Sequence, residues 1–476
     1  MNLLKSSRRY QEGVKRVSGS FGGVLDRIPA TELSALRKRM TADAAAQGLV
    51  YQTDDGVLHP IDVMLRPRLV MADQRAYLHR VCGTLQGAHE KLLDLWFGHQ
   101  RVRRLLPLGD AEERWMTELR PPKGLLERLF CRFDASVDFA DPRWVERCPF
   151  FESNTTGVGG IHFTAAVDAL AMDIVSPTLQ RAIPALLLDR NDDPRLQLLE
   201  VLADRARELG LRRFNVAMAQ FKDLVGGPQE FELITQFMRS RGVEAVDVDP
   251  RELRVRGEEL YARDTPVDIV YRDHETAELA RVEAEGHDLS GLRWAFAHGR
   301  VVSSLAGEFD HKSAYEVFTS SEFDRAFTAD ERRVFRRHVP WTRLVREVLT
   351  DGPEGEEVDL VPFVRAHREA LVLKPNRGFG GEGIVLGREA TDSEWDSGID
   401  VALTEPSTWV VQRYRPVAEK QFPRVNDDGS LRFEEYFCVL GFYVSPQGLG
   451  ILGRVSRKKV VNVSQKGGLV SVLRVL

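Results

Sequence analysis

The stretch "CPFFESN" ends in Glu152-Ser153-Asn154, and a glycine-rich turn, "TTGVGG", follows at once. Side chains alternate along a strand, so Glu152 and Asn154 share one face, two residues apart. A carboxylate and an amide oxygen so placed suit a hard divalent cation such as Mg2+, which takes oxygen ligands. Slightly earlier, "CRFDASVDF" sets Arg132 and Asp134 at the same spacing. Roughly two hundred residues later, "LVLKPNRGFGGEGIVLG" joins Lys374 to Gly378, Gly380, Gly381 and Gly383. Lysine supplies positive charge, and glycines let backbone N–H groups approach phosphate oxygens with no Cβ in the way. The chemistry these residues offer is the handling of a phosphate chain and its counter-cation.

Two familiar phosphate loops fail on context. Gly378, Gly380 and Gly383 satisfy G-x-G-x-x-G, but the dinucleotide fold needs a helix next, and strand-like "IVLG" follows instead. Val385 extends the match toward the protein-kinase loop, yet no HRD or DFG segment follows. No Lys-Ser/Thr follows Gly383, which excludes the Walker loop. What remains is a lysine strand, a glycine lid and a return strand. The later "TWVVQRYRP", an apolar strand ending in a polar hinge, suits adenine, with Gln412 its side-chain candidate.

The elements that must position these residues fall into four stretches. Residues 1–130 read as a mainly helical region; Tyr77, Val81, Leu85, Ala88, Leu92 and Leu95 form one apolar stripe. Residues 131–170 read as strand, turn and helix, and carry the metal-type residues. From 171 to 290 strands and helices alternate ("RFNVAMA", "QEFELITQFMRSRG", "VEAVDVDP", "PVDIVYRD"), which predicts a parallel, Rossmann-like sheet. From 291 to 476 short strands mix with helices near 312–320, 328–349 and 393–403.

Composition bounds the rest. A chain of 476 residues calls for two or three packed subdomains. A net charge of −5 argues against nucleic-acid binding through bulk charge. No apolar run approaches the ~20 residues that span a bilayer. The four scattered cysteines show no CxxC pair and read as buried thiols. With no signal-type segment in evidence, these features point to a cytoplasmic protein without membrane or nucleic-acid partners.

Taken together, the segments resemble the ATP-grasp ligases, in particular the circularly permuted branch that includes glutathionylspermidine synthase-like proteins. Permutation accounts for the metal residues preceding the lid. "CRFD…FESN" is similar to that family's Arg-x-Asp…Glu-x-Asn signature, which implies Asp134, Glu152 and Asn154 as Mg2+ ligands and Arg132 facing phosphate or the reacting carboxylate. "GEFDHKSAYEVF" resembles the segment supplying a first nucleotide lysine, here Lys312, with Lys374 the second. "GILGRVSRKKVVNVSQKGG" resembles the closing strands, with Arg454 and Asn462 toward the phosphates. The implied fold is α/β (α+β), a permuted ATP-grasp with a Rossmann-like preceding domain and helical N-terminal region. The implied activity is an ATP- and Mg2+-dependent carboxylate–amine ligase, acting through an acylphosphate on small or peptide-like acids and amines. The alternatives are a nucleotide-binding scaffold that has lost chemistry and a small-molecule phosphotransferase. Because "ASVDFADPRWVERCPFF" intervenes, Asp138 or Asp141 could replace Asp134 beside Glu152. Bland roles also stand: Glu152 and Asn154 as caps of the helix near His162, Arg132–Asp134 as a surface ion pair, Lys312 on a solvated helix start.

Overall fold

The computed structural model describes residues 27–52, 57–120, 125, 127–223, 230–378, 381–426, 428, 430–461 and 467–476. Its backbone is a seven-stranded sheet. The long strand Leu431–Ser445 lies at the centre, antiparallel to Gly448–Ser456 on one side and Cys131–Ala135 on the other. Cys131–Ala135 in turn pairs antiparallel with Phe150–Asn154, at the sheet's edge. From Tyr436 onward most of the central strand is buried, down to Phe442 and Tyr443 at 0% exposure. That continuous apolar run, "CVLGFYV", is the pattern of a strand covered on both faces.

The alternating region folds as expected into a four-stranded parallel sheet. Ile269–Arg272 lies between Val301–Val302 and Val216–Ala219, and Ala245–Val248 pairs beyond. Gly210 and Gly242, each just past a helix end, adopt φ of +66° and +81°, the left-handed region that favours glycine.

A third sheet, ordered Thr342–Leu344, Trp409–Arg413, Leu371–Pro375, Val385–Leu386, is entirely antiparallel and carries Lys374. It has a separate core: Leu371, Leu373 and Val411 pack with Trp395 and Ile399 of the helix Asp392–Thr404. That helix is started by a reciprocal cap between Thr391 and Glu394.

Two expectations need correction. The helix read across 328–349 ends at His338. Pro340 has no N–H to donate and pushes Val339 into extended backbone, so "TRL" becomes an edge strand. The N-terminal region is helical over Ala30–Ala46, Ala72–Glu90 and three shorter helices, yet it is not a separate helical unit. Asp62–Val63 and Arg68–Val70 pair in parallel with the final strands Gly468–Val470 and Val472–Val475. All four cysteines are buried and unpaired. No described helix is long and apolar enough to cross a membrane.

The lysine-bearing sheet depends on one aromatic wedge. Trp395 is 1% exposed and its indole N–H donates to the Val364 carbonyl. Trp395→Ala is expected to cost about 3–5 kcal/mol, read as a lowered urea midpoint.

Candidate functional site

The hairpin settles which aspartate stands beside Glu152. Asp134 pairs across the ladder with Glu152, and Arg132 with Asn154, so all four side chains share one face. The intervening segment loops away and takes its aspartates with it. Asp138 is ion-paired with Lys420 and lies 3.7 Å from Arg68, while Asp141 pairs with Arg147 at 2.7 Å.

Asp134 is 3% exposed and fully engaged. Arg132 donates to both its oxygens, at 2.9 and 3.1 Å, and Arg454 approaches Oδ2 at 2.8 Å. Asn154 Nδ2 adds a bond at 3.2 Å. Burial works against the charge on Asp134, but the two guanidiniums more than offset it and hold the carboxyl below its usual range. Gly441, opposite Asp134 on the central strand, makes the room: a Cβ there would stand 2.7 Å from Arg132 Cδ and 2.9 Å from Asp134 Oδ1. This is a buried cluster, not a surface ion pair.

The bland roles of the neighbours also fail. The helix Ile161–Leu170 is capped by Glu230, which accepts from the Gly160 and His162 N–H groups at 2.9 and 2.8 Å, so Glu152 and Asn154 are not its caps. Nothing in the local sequence announces Glu230, some seventy residues away. Lys312 is 8% exposed; its Nζ lies 2.9 Å from Glu152 Oε1 and donates to the Gly378 carbonyl at 2.6 Å. One ammonium thereby joins the metal-type hairpin to the foot of the glycine loop. Asn376 fastens the same junction, its Oδ1 accepting from Ser313 N at 2.9 Å.

Lys374 is also 8% exposed, and its Nζ donates to Gln412 Oε1 at 2.7 Å. Gln412 Nε2 donates onward to Thr342 Oγ1 at 3.0 Å. Gln412, expected as a contact for adenine, thus holds Lys374 in place, one amide atom bonded on each side. Thr342, which completes the relay, escaped sequence reasoning; only its pairing opposite Gln412 gives it that role. Burial, with repulsion from Lys312, lowers the Lys374 ammonium to about 8 against the attraction of Glu152.

A cavity of about 440 Å³ lies between the two sheets. Arg132, Asp134, Glu152, Asn154 and Arg454 line one side, with Lys374, Gly381 and Gln412 on the other. Val372, Ile384, Leu386, Val439 and Leu452 make an apolar portion able to flank a flat ring. Gly381 and Gly383 take φ of +75° and +70°, as a tight glycine loop requires. Gly380 and Asn462 lie outside the described residues. Arg272 is absent from this lining: it binds Glu308 at 2.5 Å and the carbonyls of Ser303 and Ser304. His338 and His162 are structural, bonded to Cys148 and Gln47 carbonyls.

The donor chemistry fits a magnesium ion. Glu152 Oε2 and Asn154 Oδ1 have no bonded partner among the described residues, and both are hard oxygens on one face. Among those residues no group of three His, Cys, Asp or Glu is placed to hold a metal. Phosphate oxygens and water would have to complete the shell, the usual way Mg2+ is held at nucleotides.

The chain shares its fold with a glutathione synthetase-like effector from Globodera pallida, solved in its apo form. The TM-score is 0.61 at 14% identity, over 94% of this chain and 98% of that one. The class is thus a mixed α/β fold, the one that this neighbour has. Among curated proteins, an uncharacterized protein of Mycobacterium tuberculosis is 26% identical over 95% of this chain and 81% of its own length. One of Mycobacterium leprae is also 26% identical, over 79% of its length. No family model matches.

Asp134→Asn removes the carboxylate from between two buried guanidiniums. The expected cost is about 3–5 kcal/mol, the range for breaking a buried ion pair from one side, measured by urea denaturation.

Proposed function

We propose that the protein is an ATP- and Mg2+-dependent carboxylate–amine ligase of circularly permuted ATP-grasp type. The observation that carries this reading is the meeting of Glu152 and Lys374 at one cavity, with Lys312 joining Glu152 to the Gly378 carbonyl at the foot of the glycine loop, although some two hundred residues separate the two segments. The order of parts supports permutation: the hairpin 131–154 precedes the lysine strand in the chain, yet it lies beside the C-terminal strands in the sheet. The fold shared with a glutathione synthetase-like protein is in keeping with a ligase.

In this reading the γ-phosphoryl group of ATP passes to a substrate carboxylate, giving ADP and an acylphosphate. An amine then attacks the acyl carbon, the C–O bond to phosphate breaks, and amide and inorganic phosphate result. Positioning and charge neutralisation govern such transfers. Lys312 and Lys374 draw charge off the phosphate chain, and Arg132 and Arg454 stabilise the transferring group. Glu152 and Asn154 would hold the magnesium ion, which supplies neutralisation of the polyphosphate when bound. Asp134 keeps both arginines aimed into the cavity, and its carboxylate would join the metal only if one of them turned to phosphate. No side-chain nucleophile is needed.

ATP with Mg2+ is expected to raise the melting temperature, and Glu152→Gln to suppress ADP release far more than nucleotide binding. No thermal protection of the parent protein by ATP and Mg2+ would sink the reading. A second expectation concerns pH. Lys374 is charged below its pKa of about 8 and neutral above it, so its attraction for phosphate is present at pH 7 and fades toward pH 9. Calorimetric titration with ATP should show affinity falling through that window, and Lys374→Arg, which stays charged, should flatten the profile.

A further inference from the structure

A second large cavity, of about 410 Å³, shares Arg413 and Arg415 with the nucleotide cavity and otherwise has its own walls. That volume is in the range of sites for small metabolites. Phe318, Val339 and Trp341 give it apolar surface, and four arginines, Arg332, Arg336, Arg413 and Arg415, line it with Asp324, Asp351 and Glu354. Two of the three carboxylates are already matched. Glu354 lies 2.9 Å from Arg413. Burial opposes the charge on Asp351, but hydrogen bonds from the Ser321 hydroxyl and N–H, at 2.7 and 2.8 Å, and the attraction of buried Arg343 hold it below its usual range.

The arginines are less well matched. Arg332 donates to the carbonyls of Asp324 and Phe327, at 2.6 and 3.3 Å, and to no carboxylate among the described residues. Arg336, four residues on along the helix Ala329–His338, shares its face. Arg336 and Arg415 make no hydrogen bond or ion pair among the described residues. Burial, then repulsion from Arg413, lowers the Arg415 guanidinium against the pull of Glu354, which lines this second cavity and not the first. Three guanidiniums are thus left against Asp324, an exposed residue. That excess gives the missing ligand its sign, and the apolar walls give it a body.

We propose that this cavity is a second ligand site that takes a small acid, its apolar body against Phe318, Val339 and Trp341 and its carboxylate or phosphate between Arg332, Arg336 and Arg415. The guanidinium fork matches either head group in geometry. The site does not rest on the ligase reading, because Arg332, Arg336 and the three apolar residues are outside the lining of the nucleotide cavity. Arg413 and Arg415 serve both cavities, so an acid held here draws on charge that the nucleotide cavity also uses.

The test is calorimetric titration of the full chain with sodium benzoate and, separately, phenyl phosphate, at constant ionic strength set with chloride. The expected result is saturable binding of at least one; the tighter of the two assigns the head group. Arg336→Gln, at an exposed helix position, should weaken it about tenfold or more, the scale of a lost hydrogen bond to a charged group. Glu354→Gln releases Arg413 from its carboxylate and should tighten binding about two- to fivefold, the scale of an exposed ion pair. Lys374→Met, in the nucleotide cavity, should leave it unchanged. Absence of binding by both acids overturns the proposal, as does equal affinity in the parent and Arg336→Gln, or weaker binding in Glu354→Gln. Weakening by Lys374→Met also overturns it, because the acid would then lie in the nucleotide cavity.

Discussion

The buried carboxylate of Asp134, gripped by Arg132 and Arg454, organises the centre of this molecule. Arg132 and Asp134 share one strand and Arg454 stands on another, far along the chain, with the central strand Leu431–Ser445 between the two. A charge buried this deeply is tolerated only when fully compensated. The cluster therefore ties the register of the hairpin to that of the closing strands, since a one-residue slip would turn Asp134 to the other face. Gly441 shows how closely the sheet is fitted around it, because no larger residue leaves room for the pair.

The cavity built on that cluster has an unequal charge balance. Arg132, Arg454 and Lys374 of its lining and the adjoining Lys312 contribute four positive charges, Arg413, Arg415 and Lys459 three more, and Asp134 and Glu152 two negative ones. Each of the first four is held by an internal partner: Asp134 for Arg132 and Arg454, Glu152 and Gly378 for Lys312, Gln412 for Lys374. The cations are thus positioned before any ligand arrives, which lowers the reorganisation that polyanion binding demands. The relay from Lys374 through Gln412 to Thr342 fixes a further side chain of the cavity wall. Val372, Leu386 and Leu452 add apolar strips to the same cavity.

Much of this was legible in one dimension because it rests on short-range regularities. Alternation in "CRFD" and "FESN" put Arg132 with Asp134 and Glu152 with Asn154 on common faces, helix-ending glycines took left-handed backbone, and the alternating middle of the chain formed a parallel sheet. What escaped were contacts across long sequence separations. Glu230 capping a helix at Gly160, Thr342 beneath Gln412, and the parallel pairing of Asp62–Val63 with Gly468–Val470 leave no local mark. Pro340 did leave one, and it outweighed the apparent helical period around it.

By itself, the sequence determined which residue types could meet phosphate and a cation, and the strand or loop on which each would stand. Only the tertiary structure decided that Asp134, and not Asp138 or Asp141, faces Glu152, and that Lys312 reaches across to Glu152. The physical reason is that a face is set by alternation over two or three residues, whereas a partner is set by strand pairing and buried charge compensation across hundreds.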